Sequence, residues 1–418
     1  MTSSDRRTSA LFERPIRVLM IVDDFPPVLC GVGDYTDSLA RSLANQAVDV
    51  TVATKRTAGL SEREQRDRLD IRRLAEGWVL SDIPRILKLV DELGPGAVVH
   101  LQYFSKSGYN HRPMINVLPA VLRIARPSNP VVVTMHGFHE HSYKYRLRVA
   151  PMLIAAGYRV FVHALDRAMI SRWLNPQTFP SALIPIGSNI PTVEITRRER
   201  DEVRAGLGVH SDHTALAVFF GDLRPEKGFS ALLRSLREVR SSGVDLRLAL
   251  LTDMDYLRKV PVYAGELDRL IAETGATEWM KVLERLDGYS VARTMRASDL
   301  AIFPFASGAC ENRGSLLAAL ANNVPVLTTR GPSTPRNFEL DYGVETVPAG
   351  DQRALSDRIE ALLRNPTEIR ILQRKAASAP KMPRWGAIAS GMISVYRAAL
   401  AAQQSQFPSS SVAMGIGR

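Results

Sequence analysis

The chain has 418 residues, which at roughly 100 to 200 residues per domain predicts two or three domains and excludes a single small module. Hydrophobic residues make up 45% and charged residues 23%, so disordered, collagenous and coiled-coil classes are excluded. The net charge of +11 is uneven, because residues 101–190 hold ten Lys or Arg against Glu140 and Asp166. This excess favours a polyanion or an anionic membrane surface as partner, and the alternative is a merely solvated basic surface.

Cysteine usage and hydropathy bound the location of the protein. The two cysteines, Cys30 and Cys310, cannot form a disulfide framework, and no Cys/His spacing is typical of a structural zinc site. The apolar stretch 16–22 is short and ends in two aspartates, which is typical of a first strand rather than a signal peptide. No window contains the roughly 20 apolar residues of a spanning helix. These features predict a cytoplasmic protein, with any membrane contact peripheral and at the inner face of the cytoplasmic membrane.

The first half of the chain alternates short Val- and Ile-rich runs with longer amphipathic stretches, a pattern typical of a parallel sheet covered by helices. The predicted strands are 17–22, 48–53, 98–101, 131–135, 159–163 and 182–185. Helices are predicted at 34–43, 84–93 and 114–125. Because the strands are almost continuously apolar, helices are expected on both faces of the sheet.

A charged stretch, RRERDEVRAGLG, separates this half from a second alternation. The second set of predicted strands is 216–220, 247–251, 281–283, 300–303, 326–328 and 345–346. The predicted fold class is therefore α/β, with two doubly wound Rossmann-like domains, 1–190 and 191–383, that face one another. A single apolar stripe predicts a last helix at 384–400, and residues 401–418 are predicted to be a flexible tail.

The loop after the first predicted strand carries Gly31 and Gly33 and opens a helix near Asp34. Two glycines let the backbone approach a ligand, and a helix N-terminus offers free N–H groups to an anion. A nicotinamide dinucleotide is not expected, because the third glycine of its fingerprint is replaced by Thr36. The residues predicted to form an acceptor- or phosphate-binding loop are Gly31, Gly33, Asp34, Gln102 and Tyr103.

A histidine stands at the tip of the fourth predicted strand. His136 is followed by Gly137, and a side chain at this point can hydrogen-bond a sugar hydroxyl or a phosphate. The alternative is that His136, His139 or His141 only caps the loop. His136 is the favoured one of the three for a functional role.

The segment DLRPEKG follows the first strand of the second half. Pro225 and Gly228 turn the chain, Arg224 and Lys227 lie three residues apart, and a helix begins at once. Two cations beside a helix start suit a leaving diphosphate, because charge-assisted hydrogen bonds to ionised oxygens are the strong ones. The alternative is an exposed basic turn.

A second loop of small residues precedes a helix that is predicted to start near Gly314. The amides of the first helical residues would face the same anion as the RPEKG turn, and a carboxylate beside them would bind hydroxyls of a neutral sugar. The residues predicted to bind the donor are Glu311, Arg313, Gly314, Ser315 and Leu316.

These segments resemble glycosyltransferase family 4, a large retaining group with the GT-B fold. The resemblance covers roughly residues 15–400. It rests on RVLMIVDDFPPVLCGVGDYTDSLARSLA, VVVTMHGFHE, IPIGSNI, FFGDLRPEKGFSALL, SGACENRGSLLAALANNVPVLTT and MPRWGAIASGMISVYRAAL, in this order.

The resemblance implies transfer of a sugar from a UDP- or GDP-linked donor to an acceptor hydroxyl with retention of configuration. It implies no metal and no further cofactor, and a role in polysaccharide, lipopolysaccharide or glycolipid biosynthesis. Domain 1–190 would bind the acceptor, a sugar or lipid-linked saccharide, and domain 191–383 the donor, while the last helix crosses back. Arg224, Lys227 and His136 would be catalytic, and nucleic acid is not an expected partner.

The sequence departs from the family pattern at two places. The arginine that commonly follows the glycine of the RPEKG-type segment is Asp222 here, with Arg224 as its replacement. The family's paired glutamates, eight residues apart, would fall at Cys310 and Ala318; the first is shifted to Glu311 and the second is missing. Two other classes therefore stay open: a nucleotide-sugar epimerase, which needs an acid/base pair, and a catalytically inactive GT-B scaffold protein.

Overall fold

Two parallel sheets organise the chain, and each belongs to a separate compact unit. The computed structural model describes residues 15–28, 30–104, 112–138, 143–254, 257 and 260–406. Unit 1 runs up to Ile186 and resumes at Pro383, and unit 2 is Gly187–Met382. The predicted α/β fold class with parallel sheets is confirmed.

The sheet of unit 1 has the strand order β3-β4-β2-β1-β5-β6-β7-β8 and is parallel except for the β3–β4 pair. Its strands are β1 Arg17–Ile21, β2 Asp49–Lys55, β3 Arg63–Arg66, β4 Leu69–Ala75, β5 Val98–Phe104, β6 Val131–His136, β7 Tyr158–Phe161 and β8 Ser181–Leu183. Its helices up to Ile186 are α1 Gly31–Ala44, α2 Ile83–Leu93, α3 Pro113–Ala125, α4 Tyr143–Ala155 and α5 Ala164–Ser171.

The central strands are buried along almost their whole length because helices cover both faces of the sheet. Four of the five residues of β1 are buried, and the whole of β6 is buried. One core layer holds the inner residues of α2, α3 and α4, and the other holds those of α1. This arrangement is the one that continuous apolar strands predict.

The β3–β4 hairpin at the sheet edge was not predicted from the sequence. Strand β3 is REQR, without an apolar residue, and β4 alternates buried and half-buried positions that include Arg72 and Arg73. Arg73 is buried, and it pairs with Glu64 on β3 at 2.7 Å. Strand β3 is therefore joined to the sheet by cross-strand pairing of charges, while Leu69 and Ile71 of β4 are buried in the core.

Unit 2 has a six-stranded, fully parallel sheet with the order β11-β10-β9-β12-β13-β14. Its strands are β9 Ala215–Phe220, β10 Leu246–Thr252, β11 Met280–Glu284, β12 Leu300–Phe303, β13 Val326–Arg330 and β14 Glu345–Pro348. Its helices are α6 Arg197–Gly206, α7 Phe229–Ser241, α8 Pro261–Thr274, α9 Gly288–Ala297, α10 Gly314–Ala321, α11 Phe338–Tyr342, α12 Gln352–Arg364 and α13 Pro366–Ala377.

The last helix, α14 (Trp385–Gln406), returns the chain to unit 1. It packs against α1, and Ile388, Met392 and Tyr396 are buried in the same core layer. The C-terminal helix predicted from the apolar stripe is confirmed. The helix extends to Gln406, so the prediction of a flexible tail is wrong for 401–406, where helical hydrogen bonding continues. Residues 407–418 of the predicted tail lie outside the described residues.

Candidate functional site

The strand order marks one point at the carboxyl ends of the strands in each sheet as the place for a ligand. In unit 2, β9 lies between β10 and β12, so the strand order reverses between β9 and β12. Ligands of such sheets bind at this topological switch point, beside the loops that follow the two strands. All of the residues predicted to bind the donor or its diphosphate lie in these two loops or in the helix starts that follow them. In unit 1 the equivalent point lies between β1 and β5, and the glycine loop follows β1.

The turn after β9 is held against the loop after β12. Residues Pro225–Lys227 form one 3-10 turn, and Gly228 then takes a left-handed conformation with φ of 75°. A Cβ at this position would lie 1.8 Å from the carbonyl oxygen of Pro304, so only glycine fits. The amide of Ala306 donates to the carbonyl of Glu226 at 3.1 Å. The two loops are therefore fixed edge to edge.

Arg224 is already engaged with carboxylates at this edge. Its guanidinium donates to both carboxylate oxygens of Asp222, at 3.0 and 2.6 Å, and lies 3.5 Å from a Glu226 oxygen. Burial acts to raise the pKa of Asp222, but hydrogen bonds from Arg224 and the charge of Lys227 outweigh it, so the pKa is lowered. Arg224 is thus an ion-pair partner in this structure, and its role toward a diphosphate stays a prediction.

Lys227 and Arg313 converge on the ring of Phe305. The Lys227 nitrogen lies 5.6 Å and the Arg313 guanidinium carbon 4.7 Å from the ring centroid, within the range of cation–π attraction. Arg313 also donates to the hydroxyl of Ser307 at 3.0 Å. Phe305 therefore holds two cations, one from each loop, beside each other.

The charge of Lys227 is only partly compensated. Burial lowers its pKa; the carboxylate of Asp222 opposes this shift, and the charges of Arg313 and Arg224 reinforce it. Within the described parts of the chain, the Lys227 nitrogen makes no hydrogen bond and no ion pair within 4 Å. An anion that entered here would relieve both the burial cost and the repulsion between cations.

Helix α10 begins at the same edge. Arg313 precedes it in an extended conformation and does not cap it with its side chain, so the first amides stay available. Ser315 is only 9% exposed, and its hydroxyl has no hydrogen-bond partner among the described residues. A Cβ on Gly221, directly after β9, would lie 4.0 Å from that hydroxyl. A buried hydroxyl and a helix start thus face the turn after β9, as an anion site requires.

The two glutamate positions of the family pattern have different surroundings. Position 310 is buried, and the Cys310 thiol donates to Asn312 at 2.8 Å. Glu311 is half-buried. Burial raises the pKa of Tyr342 on α11, and the charge of the Glu311 carboxylate raises it further. Ala318 is completely buried in α10, so the chain offers no carboxylate at the second position.

In unit 1 the glycine loop packs tightly onto the chain that precedes it. A Cβ on Gly33 would lie 2.5 Å from the carbonyl oxygen of Asp24, which excludes any other residue, whereas Gly31 is exposed with open space around it. Asp34 lies in the first turn of α1. Burial, together with the charge of Asp37, raises the pKa of Asp34 to about 6. An anion at this helix start would therefore meet a carboxyl group that is still mostly ionised at pH 7.

Gln102 and Tyr103 were predicted in a loop, and this placement is wrong. Both are buried within β5, which continues past its predicted end because residues up to Phe104 pair with β6. The hydroxyl of Tyr145 donates to that of Tyr103 at 2.8 Å, and the Tyr103 ring packs in the core between the sheet and α4. Tyr103 is thus a core residue, while Gln102 accepts a hydrogen bond from His136 within the sheet.

His136 ends β6 and belongs to a buried polar chain. Its Nε2–H donates to Gln102 Oε1 at 3.0 Å, and its ring lies edge-on to Tyr35 with the centroids 4.8 Å apart. Burial lowers the pKa of His136 to about 3, against an opposing effect of Asp166. The imidazole is therefore neutral, and its Nδ1 retains a lone pair.

The polar chain continues to the last helix through His100, which sequence reasoning missed. Its two ring nitrogens lie 2.7 Å from the hydroxyls of Tyr396 and Thr134. Burial lowers the pKa of His100 to about 3, so this imidazole is neutral as well. No local pattern could identify this group, because Tyr396 lies 296 residues away in the chain.

His139 and His141 lie outside the described residues. Across the described ranges, no three His, Cys, Asp or Glu side chains are grouped so that they could hold a metal ion. None of the described helices combines the length and the apolarity that crossing a bilayer requires.

Solved structures define the class of fold. The chain aligns with sucrose-phosphate synthase from Thermosynechococcus elongatus at a TM-score of 0.71 and 18% identity, over 93% of this chain and 100% of that one. It aligns with Anabaena HepE in complex with UDP and glucose at a TM-score of 0.70 and 15% identity, over 92% and 100% of the two chains. At these identities the likeness shows the fold, which is GT-B.

Family models then identify the chain. Residues 30–187 match the model of a glycosyl transferase 4-like domain, and residues 214–365 match that of glycosyl transferases group 1. The protein belongs to glycosyltransferase family 4. It is 29% identical over 216 residues to a phosphatidyl-myo-inositol mannosyltransferase of Mycobacterium leprae, which is 51% of this chain and 52% of that protein. The chain spans about half the length of the curated relatives it matches.

Proposed function

We propose that the protein transfers a sugar from a UDP- or GDP-linked donor to an acceptor hydroxyl in polysaccharide, lipopolysaccharide or glycolipid biosynthesis. Family membership supports sugar transfer, and the Mycobacterium relative is named for mannose transfer to phosphatidyl-myo-inositol. The observation that carries the proposal is the Lys227 ammonium, which is crowded by other cations and makes no ion pair among the described residues.

The donor diphosphate is proposed to bind unit 2 between the turn after β9 and the start of α10. Lys227 and Arg313 would contact its oxygens, and the first amides of α10 with the Ser315 hydroxyl would donate to them. Each preorganised donor of this kind contributes roughly 2.7 to 4 kcal/mol when it faces charge that develops in a transition state. Glu311 would accept from hydroxyls of the transferred sugar.

The reaction is proposed to proceed with retention and without a metal. The bond between the anomeric carbon and the diphosphate oxygen breaks, and the electron pair stays on the phosphate. The acceptor oxygen forms the new bond from the same face, and its proton passes to that phosphate oxygen. Lys227 and Arg313 would stabilise the growing negative charge, which is the task a divalent cation would otherwise perform.

The acceptor is proposed to bind unit 1. The Nδ1 lone pair of the neutral His136 can accept from a hydroxyl, while Gln102 holds the Nε2 side of the ring. At ordinary pH this histidine would orient a hydroxyl rather than exchange protons, since burial keeps its pKa far below neutrality.

The test is the binding of UDP and GDP by calorimetry, together with release of the nucleoside diphosphate from UDP- and GDP-sugars. Lys227→Ala is expected to weaken the binding of the preferred nucleotide and to lower turnover at least ~100-fold, on the scale of one lost electrostatic donor. Unfolding temperature should not fall, because the variant removes an ammonium whose charge is already disfavoured by burial and by Arg313 and Arg224.

Lys281→Ala is the matched control, since Lys281 is an exposed lysine on the edge strand of the same unit. It should retain wild-type binding and turnover. Nucleotide binding that is equal in wild type, Lys227→Ala and Lys281→Ala would contradict the proposed donor site.

A further inference from the structure

Two neighbouring helices of unit 1 share one side of the sheet. Helices α3 and α4 pack against each other, and both bury their inner residues in the same core layer. Their outer faces therefore point in the same direction, away from the sheet.

The outer face of α3 is apolar. Val117, Val121 and Ile124 follow the i, i+4, i+7 spacing that aligns residues along one side of a helix. Ile124 is 82% exposed, and Val117 is also exposed. A water-facing helix normally presents polar residues along such a stripe, so this stripe needs an explanation.

The outer face of α4 repeats the pattern. Leu147, Pro151 and Ile154 have the same spacing and are all exposed, Leu147 and Ile154 at 51% each. We use the name outer apolar face for the six residues Val117, Val121, Ile124, Leu147, Pro151 and Ile154.

The charged side chains that α3 and α4 themselves carry are all basic. Lys144 and Arg148 are exposed on α4 beside Leu147, and Arg123 is exposed on α3 beside Ile124. Residues 112–138 and 143–165, which the structure describes, contain no Asp or Glu; Glu140 lies outside the described residues. One carboxylate lies at the border, Asp91 on α2, and it is paired with Arg126 at 2.7 Å just after the end of α3. Exposed apolar side chains on helices whose own charges are all basic are the composition of a surface that binds anionic membranes.

We propose that the outer apolar face docks on the surface of an anionic lipid bilayer. Its apolar side chains would enter the interface between headgroups and acyl chains, while Lys144, Arg148 and Arg123 contact lipid phosphates. Charge selects this occupant: in a symmetric dimer through this face, each copy would place its cations against those of the other, which is repulsive. The inference does not depend on the proposed transfer reaction, because it rests only on this surface.

The test is co-sedimentation of the full-length protein with vesicles of phosphatidylcholine alone or mixed with phosphatidylglycerol. Binding is expected only to the mixed vesicles and should weaken as salt rises, because exposed charges are screened. Each cation near an anionic surface strengthens partitioning roughly fivefold, so Lys144→Gln/Arg148→Gln should bind about 25-fold more weakly. Leu147→Ser/Ile154→Ser should weaken binding at both low and high salt.

Matched controls lie in unit 2. Arg234→Gln/Arg237→Gln removes two exposed arginines from α7, and Val262→Ser/Leu340→Ser removes two exposed apolar side chains. Both should bind vesicles as wild type does. Equal binding to both vesicle types, or wild-type binding by the two α4 variants, would overturn the proposal. So would a dimer of the wild-type chain that the α4 variants dissociate, because the occupant would then be a second copy.

Discussion

At the residue scale, the direction of the pKa shift at each ionisable group of the candidate site depends on whether burial and neighbouring charges act together or in opposition. At Lys227 burial and two neighbouring cations act in the same direction, and the pKa is lowered although Asp222 opposes the shift. At Asp222 burial is opposed by hydrogen bonds from Arg224 and by the charges of Lys227 and Arg224, and the pKa is lowered. Arg224 is therefore paired with a carboxylate within the chain, while the charge of Lys227 is only partly compensated.

Asp34 gives a pH-dependent prediction. Its pKa rises from 3.8 to about 6 on folding, because burial and Asp37 disfavour its charge. The folded state then binds more protons than the unfolded state between those values, so the free energy of unfolding falls as pH rises through this window. Asp34→Asn should match wild type at pH 4 and be more stable at pH 7, by about 1 kcal/mol after allowance for partial solvent screening.

The measurement is urea unfolding at several pH values. Asp268→Asn, which changes an exposed aspartate on α8, should leave the pH profile of wild type unaltered. A profile for Asp34→Asn that falls between pH 4 and 6 as steeply as that of wild type would contradict the assignment.

At the element scale, the site depends on two loops that approach closely at the sheet edge. Gly228 ends the turn after β9 with a positive φ and lies directly against Pro304 in the loop after β12. The contact positions Lys227 relative to Phe305, since Lys227 precedes Gly228 and Phe305 follows Pro304 in the chain, and Arg313 lies over the Phe305 ring. A change in the backbone at Gly228 would therefore shift the cations of the candidate site without replacing either of them.

Gly228→Ala is expected to destabilise unit 2 and to weaken nucleotide binding. Gly243→Ala is the matched control, because Gly243 has a φ of 90° but no atom within 4 Å of an added Cβ. The control should lose about 1 kcal/mol from backbone strain alone. Gly228→Ala should lose at least about 2 kcal/mol more in thermal unfolding, because the backbone of Pro304 must move. Equal losses in the two variants would show that the close approach has no energetic consequence.

At the scale of the whole molecule, each unit builds its own core, and unit 1 is completed by a helix from the far end of the chain. Residues of α14 are buried beside α1 and the sheet, and Tyr396 reaches His100. The C-terminal helix is therefore part of the core of unit 1 and not an appendage.

Met392→Ala tests this role of α14. Met392 is completely buried, and removal of a large core side chain costs about 2 to 5 kcal/mol. The loss should appear as a lower unfolding temperature in calorimetry. Ser394→Ala changes an exposed position on the same helix and should have no measurable effect. A similar unfolding temperature for both variants would mean that α14 does not support the core.

The sequence by itself determined the two α/β domains, the order of their main strands along the chain and the loops that carry the candidate site. Apolar runs of strand length and apolar helical stripes are local signals, and in parallel sheets the loops after the strands lie at one edge. Lys227, Arg313 and Ser315 could therefore be selected from their positions in the pattern. The β3–β4 hairpin could not, because β3 has no apolar residue and Arg72 and Arg73 interrupt the apolar positions of β4.

Only the tertiary structure decided how the selected residues are used. It buried Tyr103, paired Arg224 with Asp222, set Phe305 between two cations and joined His136 through Gln102 to His100. These outcomes depend on burial and on contacts between distant segments, such as the 296 residues that separate His100 from Tyr396. Neither quantity is a property of a local pattern, because both arise only when the sheets and helices have packed.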